Sequence, residues 1–297
     1  MMFLHQQTAV LVNNVLKEFT GEEGNLKMIK PVPGGSINNC YQLAYSGRTF
    51  FIKVNSAKDF KGMFEAEAKG LKALATANAI KVPGVIRFEN TFNEQFLILE
   101  WIEKGVNNSL SQEALGRSLA GLHKNTSPYF GLDHHNFIGS LTQSNNLNSS
   151  WSGFFISERL KPQIELGTLR GLLDKNVLQQ FELLFNKLDE LYPRELPALV
   201  HGDLWSGNYM ISNLQEPVLI DPAIAYANRE VDLAMTTLFG GFQGAFYDAY
   251  HEVFPLQEGW KDRVDVWNLY PLLVHLNLFG RSYLGQVKAI LNWFVKS

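Results

Sequence analysis

A short apolar run beginning at Leu199 enters the polar stretch His201-Gly-Asp-Leu-Trp-Ser-Gly-Asn208, and a second apolar run, Val218-Leu-Ile, ends on Asp221. Asp203, Asn208 five residues later and Asp221 at the close of the next strand are the residue types that phosphoryl transfer requires. That reaction asks little covalent chemistry of a protein: one carboxylate aligns the acceptor hydroxyl and takes its proton, while oxygen ligands hold magnesium against nucleotide phosphates. On this reading Asp203 is the base. Asn208 and Asp221 are the metal ligands, an amide oxygen being a hard and neutral donor. Asp, Asn and Gly also gather in ordinary turns, which would reduce the stretch to two strands joined by a polar loop. The occurrence of all three features together and in order favours the chemical reading.

The elements upstream must then supply the nucleotide side. Residues 27–32, 40–44 and 49–54 read as three strands, with turns at Pro33-Gly-Gly-Ser-Ile-Asn-Asn39 and at Tyr45-Ser-Gly-Arg48. In the first turn Gly34 and Gly35 would let backbone amides approach phosphate, and Ser36 and Asn38 would add donors. The loop lacks a full Gly-x-Gly-x-x-Gly pattern, so a plain hairpin is the alternative. Lys53 strengthens the nucleotide reading. It lies in Phe-Phe-Ile-Lys-Val, an apolar strand in which a lysine needs an anion unless it sits at a solvated edge. A helix over 59–75, with Asp59 as cap, follows. Phe64, Leu71 and Leu74 mark its buried stripe, and Glu67 falls on that stripe whereas Glu65 turns away. Glu67 is therefore the expected partner of Lys53, against the plain alternative of a solvated carboxylate.

Further elements are read from the same periodicities. A helix over 6–19 would bury Val10, Leu11, Val15 and Phe19 and stop at Gly21. Residues 95–103 form a buried strand after a turn near Asn93-Glu94, and the break at 105–108 marks a boundary. Helices over 111–124 and 175–192 follow, the second ended by Pro193. His123 reads as a packed histidine rather than a ligand, and the adjacent histidines in 129–139 as a loop rather than a zinc site. The aromatic residues of 151–163 read as core, with Trp151 or Arg159 bordering a sugar site as the alternative.

Composition narrows the class. The chain has 297 residues, 46% hydrophobic and 19% charged, as expected of an ordinary globular protein with one large core or two lobes. Its net charge of −3 gives no footprint for nucleic acid or an anionic membrane. The single cysteine, Cys40, excludes an internal disulfide and fits a reducing compartment, with the cytoplasm as default. Neither a signal peptide nor a spanning segment is expected.

The run His201–Asn208 closely resembles the catalytic loop of the fructosamine kinase (ketosamine 3-kinase) family, relatives of aminoglycoside and choline kinases. Trp205 is the discriminating residue, since the wider group shares mainly His-Gly-Asp and the later Asn. Trp151-Ser-Gly-Phe-Phe, Gly240-Gly-Phe and Gly280-Arg-Ser-Tyr resemble further family segments. The resemblance implies an α+β, bilobal protein-kinase-like fold. A small antiparallel-sheet N-lobe with one main helix would cover 1–102, and a larger, mostly helical C-lobe 103–297. It implies ATP and Mg2+ as cofactors, with the Glu100 carbonyl and Ile102 amide on the adenine edge and Trp205 offering an aromatic face to the substrate. Asp232 would brace the catalytic loop. The implied activity is phosphorylation of the 3-hydroxyl of ketosamines, small or protein-bound, in protein deglycation. The sugar and the oligomeric state stay open, with a monomer as default. The alternatives are a kinase for another small hydroxylated amine, of the aminoglycoside or choline type, and a nucleotide-binding pseudokinase scaffold. Cys40 lies outside the loop where some family members carry a redox-active cysteine, so a buried thiol is expected rather than a switch.

Overall fold

The computed structural model describes residues 4–33 and 37–296. Helix α1 (Gln6–Thr20) ends where Gly21 takes φ +71°, a left-handed conformation that glycine adopts without strain. Its buried face is Thr8, Val12, Val15 and Leu16. Val10 and Phe19, which spacing alone places on the buried stripe, are 55% and 53% exposed. The row that packs is the one facing the sheet: Val12, Val15 and Leu16 share a core with Leu43, Phe50, Ile52 and Ile98, and Leu11 is partly buried against it.

That sheet comprises β1 (Lys27–Pro31), β2 (Asn39–Tyr45), β3 (Arg48–Ser56), β4 (Val85–Asn90) and β5 (Glu94–Glu100), in the order β1-β2-β3-β5-β4. All neighbours run antiparallel. Ser46 and Gly47 both have positive φ and close the β2–β3 hairpin, the geometry that matches strand twist. Helix α2 (Met63–Ala77) begins later than expected. Asp59 does not cap it: the chain turns over 57–62, the Asp59 amide donates to Ser56 Oγ at 3.2 Å, and Gly62 at φ +80° precedes the first helical turn. A residue held left-handed cannot continue a helix, so the start shifts past it. Because side chains alternate across a strand, Ile52 and Val54 enter the α1 core and Lys53 emerges on the opposite face.

Backbone contacts divide the chain into two compact units, one of Met1–Asn107 with Met210–Asp221, the other of Asn108–Tyr209 with Pro222–Ser297. A single cut after residue 102 misses the discontinuous piece. Its membership follows from the hydrogen bonds Gly105 N to Ile211 O (2.8 Å), Asn213 N to Glu103 O (2.8 Å) and Leu219 N to Lys81 O (2.9 Å).

The second unit is mostly helical. It opens with α3 (Ser109–His123), started by a reciprocal cap between Asn108 and Ser111, and a small hairpin of β6 (Asn136–Ile138) and β7 (Leu141–Gln143). Next come α4 (Trp151–Phe154), a π-helical turn Phe155–Leu160, α5 (Lys161–Leu169) and α6 (Lys175–Leu191). Short strands β8 (Ala198–Val200) and β11 (Ala225–Ala227) pair with each other in this unit, whereas β9 (Tyr209–Ile211) and β10 (Pro217–Leu219) pair within the stretch that falls largely in the first unit. The chain closes with α7 (Glu230–Leu238), α8 (Gly244–Val253), α9 (Trp260–Phe279) and α10 (Leu284–Lys296). Trp151, Phe154, Phe155, Phe181 and Trp267 centre its core. Among the described residues no helix is long and apolar enough to cross a membrane.

Candidate active site

Strand β3 carries Lys53 into the first unit with only 2% of its surface exposed. Its ammonium lies 2.8 Å from Glu67 Oε1 and 2.5 Å from Asp221 Oδ1. The Glu67 approach is an ion pair without the angle of a hydrogen bond, whereas Asp221 accepts one. Helical periodicity separates the two candidate glutamates as expected: Glu67 points inward, and Glu65 pairs with Lys69 at 2.9 Å on the surface. Burial acts to lower the Lys53 pKa, but Asp221 and Glu67 outweigh it and hold the ammonium above its ordinary value. Burial pushes Glu67 up to about 7, against the pull of Lys53 and with the help of the Asp221 charge. Asp221 sits at φ +55°, a left-handed conformation that aspartate tolerates better than most residues.

Around this trio the remaining candidates fall differently. Cys40 is the cross-strand partner of Lys53, and burial pushes its thiol up to about 11, so it stays protonated at neutral pH. Asn38 Oδ1 accepts from Asn55 Nδ2 at 2.7 Å. Gly34, Gly35 and Ser36 lie outside the described residues. Glu100 is the last residue of β5, its carboxylate accepting the Gly84 amide at 3.2 Å, and Ile102 follows in the irregular segment after it.

In the second unit β8 delivers His201-Gly-Asp. Gly202 holds φ +82°, and a Cβ there would collide with the Ala223 carbonyl, so both conformation and space demand glycine. The loop closes on itself: Asn208 Nδ2 donates to the Asp203 carbonyl and to Asp203 Oδ2, each at 2.8 Å. Asp232 on α7 is buried and accepts the amides of His201 (2.7 Å) and Gly202 (2.8 Å). Burial would raise its pKa, but His123 and the Gly202 amide outweigh that and hold it below the ordinary carboxylate range.

His123 is packed, as the sequence reading has it, but its place behind the candidate catalytic loop was not foreseen. It is fully buried, with Nε2 3.1 Å from Asp232 and Nδ1 2.8 Å from the Tyr250 hydroxyl. The tautomer with the proton on Nε2 satisfies both contacts. Periodicity could place it inside α3 but could not name partners 109 and 127 residues away.

Trp205 is 36% exposed, its indole lying against Gly207 and edge-on to the Phe239 ring. The alternative of Trp151 or Arg159 bordering a sugar finds no support. Trp151 is buried, and Arg159 is buried with its guanidinium on Ser144 O (2.5 Å) and Asn145 Oδ1 (2.7 Å). The cavity they line behind Gly202 holds about 40 Å³, room for a few waters and too little for a sugar.

Taken separately, the two candidate magnesium ligands carry the hard oxygen donors that ion prefers. In the second unit Asn208 donates through its nitrogen to Asp203, so its amide oxygen would be the donor; in the first unit the Asp221 side chain is 45% exposed. Mg2+ takes one or two protein oxygens and completes its shell with water and nucleotide phosphate.

The family model for fructosamine kinase matches residues 8–297. A "Probable ketoamine kinase" of Enterococcus faecium is 42% identical over 268 residues, covering 89% of this chain and 94% of that protein. A "Protein-ribulosamine 3-kinase, chloroplastic" of Oryza sativa subsp. japonica is 35% identical, covering 93% of this chain and 81% of its own length. A solved structure from Thermobifida fusca, described as a candidate fructosamine-3-kinase, superposes with TM-score 0.87 at 32% identity over 96% of this chain and 99% of that one. An aminoglycoside phosphotransferase solved with AMP-PNP and hygromycin B superposes with TM-score 0.64 at 14% identity, covering 95% of this chain and 98% of its own, a likeness of fold alone.

Proposed function

The chain belongs to the fructosamine kinase family, a family of phosphotransferases, and on that premise we propose that it transfers the γ-phosphoryl group of ATP to the 3-hydroxyl of a ketosamine. A ketosamine is a sugar joined to an amine through Amadori rearrangement. The name of the rice relative supplies the 3-kinase chemistry and a ribulosamine acceptor, and the AMP-PNP complex of the distant structural neighbour supports a nucleotide donor.

The observation that carries the reading is the His201–Asn208 loop, in which Asn208 orients the Asp203 carboxylate while Asp232 holds the backbone from behind. Asp203 aligns the acceptor hydroxyl and takes its proton as the oxygen bonds to phosphorus; the bond from phosphorus to the bridging oxygen breaks and ADP leaves. Lys53, steadied by Glu67, meets the phosphates. Asn208 and Asp221 would each offer an oxygen to Mg2+, which would neutralise charge on the phosphate oxygens. Glu100 and Ile102 offer backbone groups to the adenine edge, and Trp205 gives the acceptor an aromatic face. Phosphorylation at O3 makes the adduct labile, so the physiological role is removal of glycation, in a reducing compartment such as the cytoplasm.

Magnesium-dependent turnover on ribulosyl-lysine, with choline and an aminoglycoside as controls, tests the substrate. Turnover only on a control would reassign the acceptor; ATP-induced thermal stabilisation with no turnover on any of them would leave a scaffold. Asp203→Asn should lower kcat by about 10²- to 10⁴-fold while ATP still raises Tm, the range expected for loss of a general base. Near-normal kcat in that variant would sink the mechanism.

A further inference from the structure

Trp205 is held by contacts that the reaction itself does not explain. At the end of α7, Phe239 presents its ring edge-on to the Trp205 indole, centroids 6.1 Å apart and planes at 75°. On its other side Phe239 meets His275 at 5.0 Å, and His275 is itself tied by its ring Nδ1 to the Pro271 carbonyl at 2.7 Å. Burial lowers the His275 pKa, so the imidazole is neutral at neutral pH and adds no positive charge beside an amine-bearing acceptor. Gly207 closes the third side, since a Cβ there would overlap the indole.

The backbone after Phe239 is pinned to the same loop. Gly240 and Gly241 take φ +70° and +91° in succession, a path open to glycine without strain, and a Cβ at Gly241 would collide with Ser206. The Gly241 carbonyl accepts from the Tyr209 hydroxyl at 2.8 Å, and that hydroxyl accepts from Gln112 Nε2 at 2.8 Å. Yet Phe239 keeps 39% of its surface exposed, and Trp205 keeps 36%. Two large aromatic rings braced this firmly and left in part open to water, two residues from Asp203, form a surface rather than a core.

We propose that Phe239 is a specificity-determining positioning residue, which fixes the Trp205 indole so that its open face receives the ketosamine acceptor. The inference rests on the ketosamine kinase reading and adds one residue to it. Phe239 acts through Trp205 and needs no contact with the reacting atoms.

Steady-state kinetics with ribulosyl-lysine and ATP on the wild type, Phe239→Ala and Phe239→Tyr test it. Phe239→Ala should raise KM for the ketosamine about two- to tenfold, the scale set by one edge-to-face aromatic contact. KM for ATP should stay at its wild-type value, Tm should fall by no more than a few degrees, and Phe239→Tyr should restore the ketosamine KM. An unchanged ketosamine KM in Phe239→Ala overturns the proposal, and so does a rise that Phe239→Tyr fails to reverse or that ATP shares. A wild type without turnover on ribulosyl-lysine overturns the functional reading and the inference with it; an active wild type matched by Phe239→Ala overturns the inference alone.

Discussion

A lysine ammonium with 2% of its surface in solvent persists because Glu67 and Asp221 lie against it. Removing the cation leaves two carboxylates close together, one of them nearly buried, and an uncompensated buried charge is among the more destabilising changes a fold can suffer. Lys53→Met should therefore lower stability by about 3–5 kcal/mol in denaturant unfolding. Adding Glu67→Gln removes one of the stranded charges and should recover part of that loss. A Lys53→Met variant as stable as the wild type would show that the trio is not the electrostatic unit its distances describe. Lys53 and Glu67 were legible in the sequence because strand alternation and helical periodicity are local. That Asp221 joins them, 168 residues from Lys53, was not legible, since nothing local encodes that pairing.

Helix α7 acts on the candidate catalytic loop through Asp232, whose carboxylate takes two consecutive loop amides and the imidazole of His123 on α3. Asp232→Asn keeps the shape but replaces charge-assisted bonds with neutral ones, and should destabilise by about 1.5–3 kcal/mol at neutral pH. The pH dependence has a definite sign. The folded-state pKa of Asp232 is held below its ordinary value of 3.8, so its contribution is present above that pH and is lost as pH falls through the folded value. The stability gap between wild type and Asp232→Asn should therefore shrink below about pH 3.8 and stay constant above it, as urea unfolding across pH would record. A gap that widens on acidification would reverse the assignment. The family resemblance pointed to Asp232 by its place after Asp221, the candidate metal ligand, whereas His123 announced only that it was buried. Both facts have the same origin: an element's face is periodic, but its partner is set by packing.

For the molecule as a whole, binding energy from nucleotide and metal should appear as added stability. ATP with Mg2+ at 100 times its Kd should raise the unfolding free energy by about 2.7 kcal/mol, the mass-action value for a ligand that binds only the folded state. EDTA should abolish turnover and reduce that shift, because on the proposed reading magnesium would be held in large part by nucleotide phosphate oxygens, with few protein ligands. Full turnover in excess EDTA would remove the metal from the mechanism. The chain by itself made Lys53, Glu67, Asp203, Asn208 and Asp221 candidates, because these follow from period, spacing and the chemistry of the residue types, while the α+β class came with the family resemblance. It misjudged the outward face of α1 and the start of α2, where packing against the sheet and a left-handed Gly62 overrode local preference. Only the tertiary structure decided that residues 210–221 belong with the first unit, that His123 stands behind the loop, and that Phe239 braces Trp205. Those are contacts between segments distant in sequence, and the free energy that selects them comes from burial and hydrogen bonding that exist only once the chain has folded.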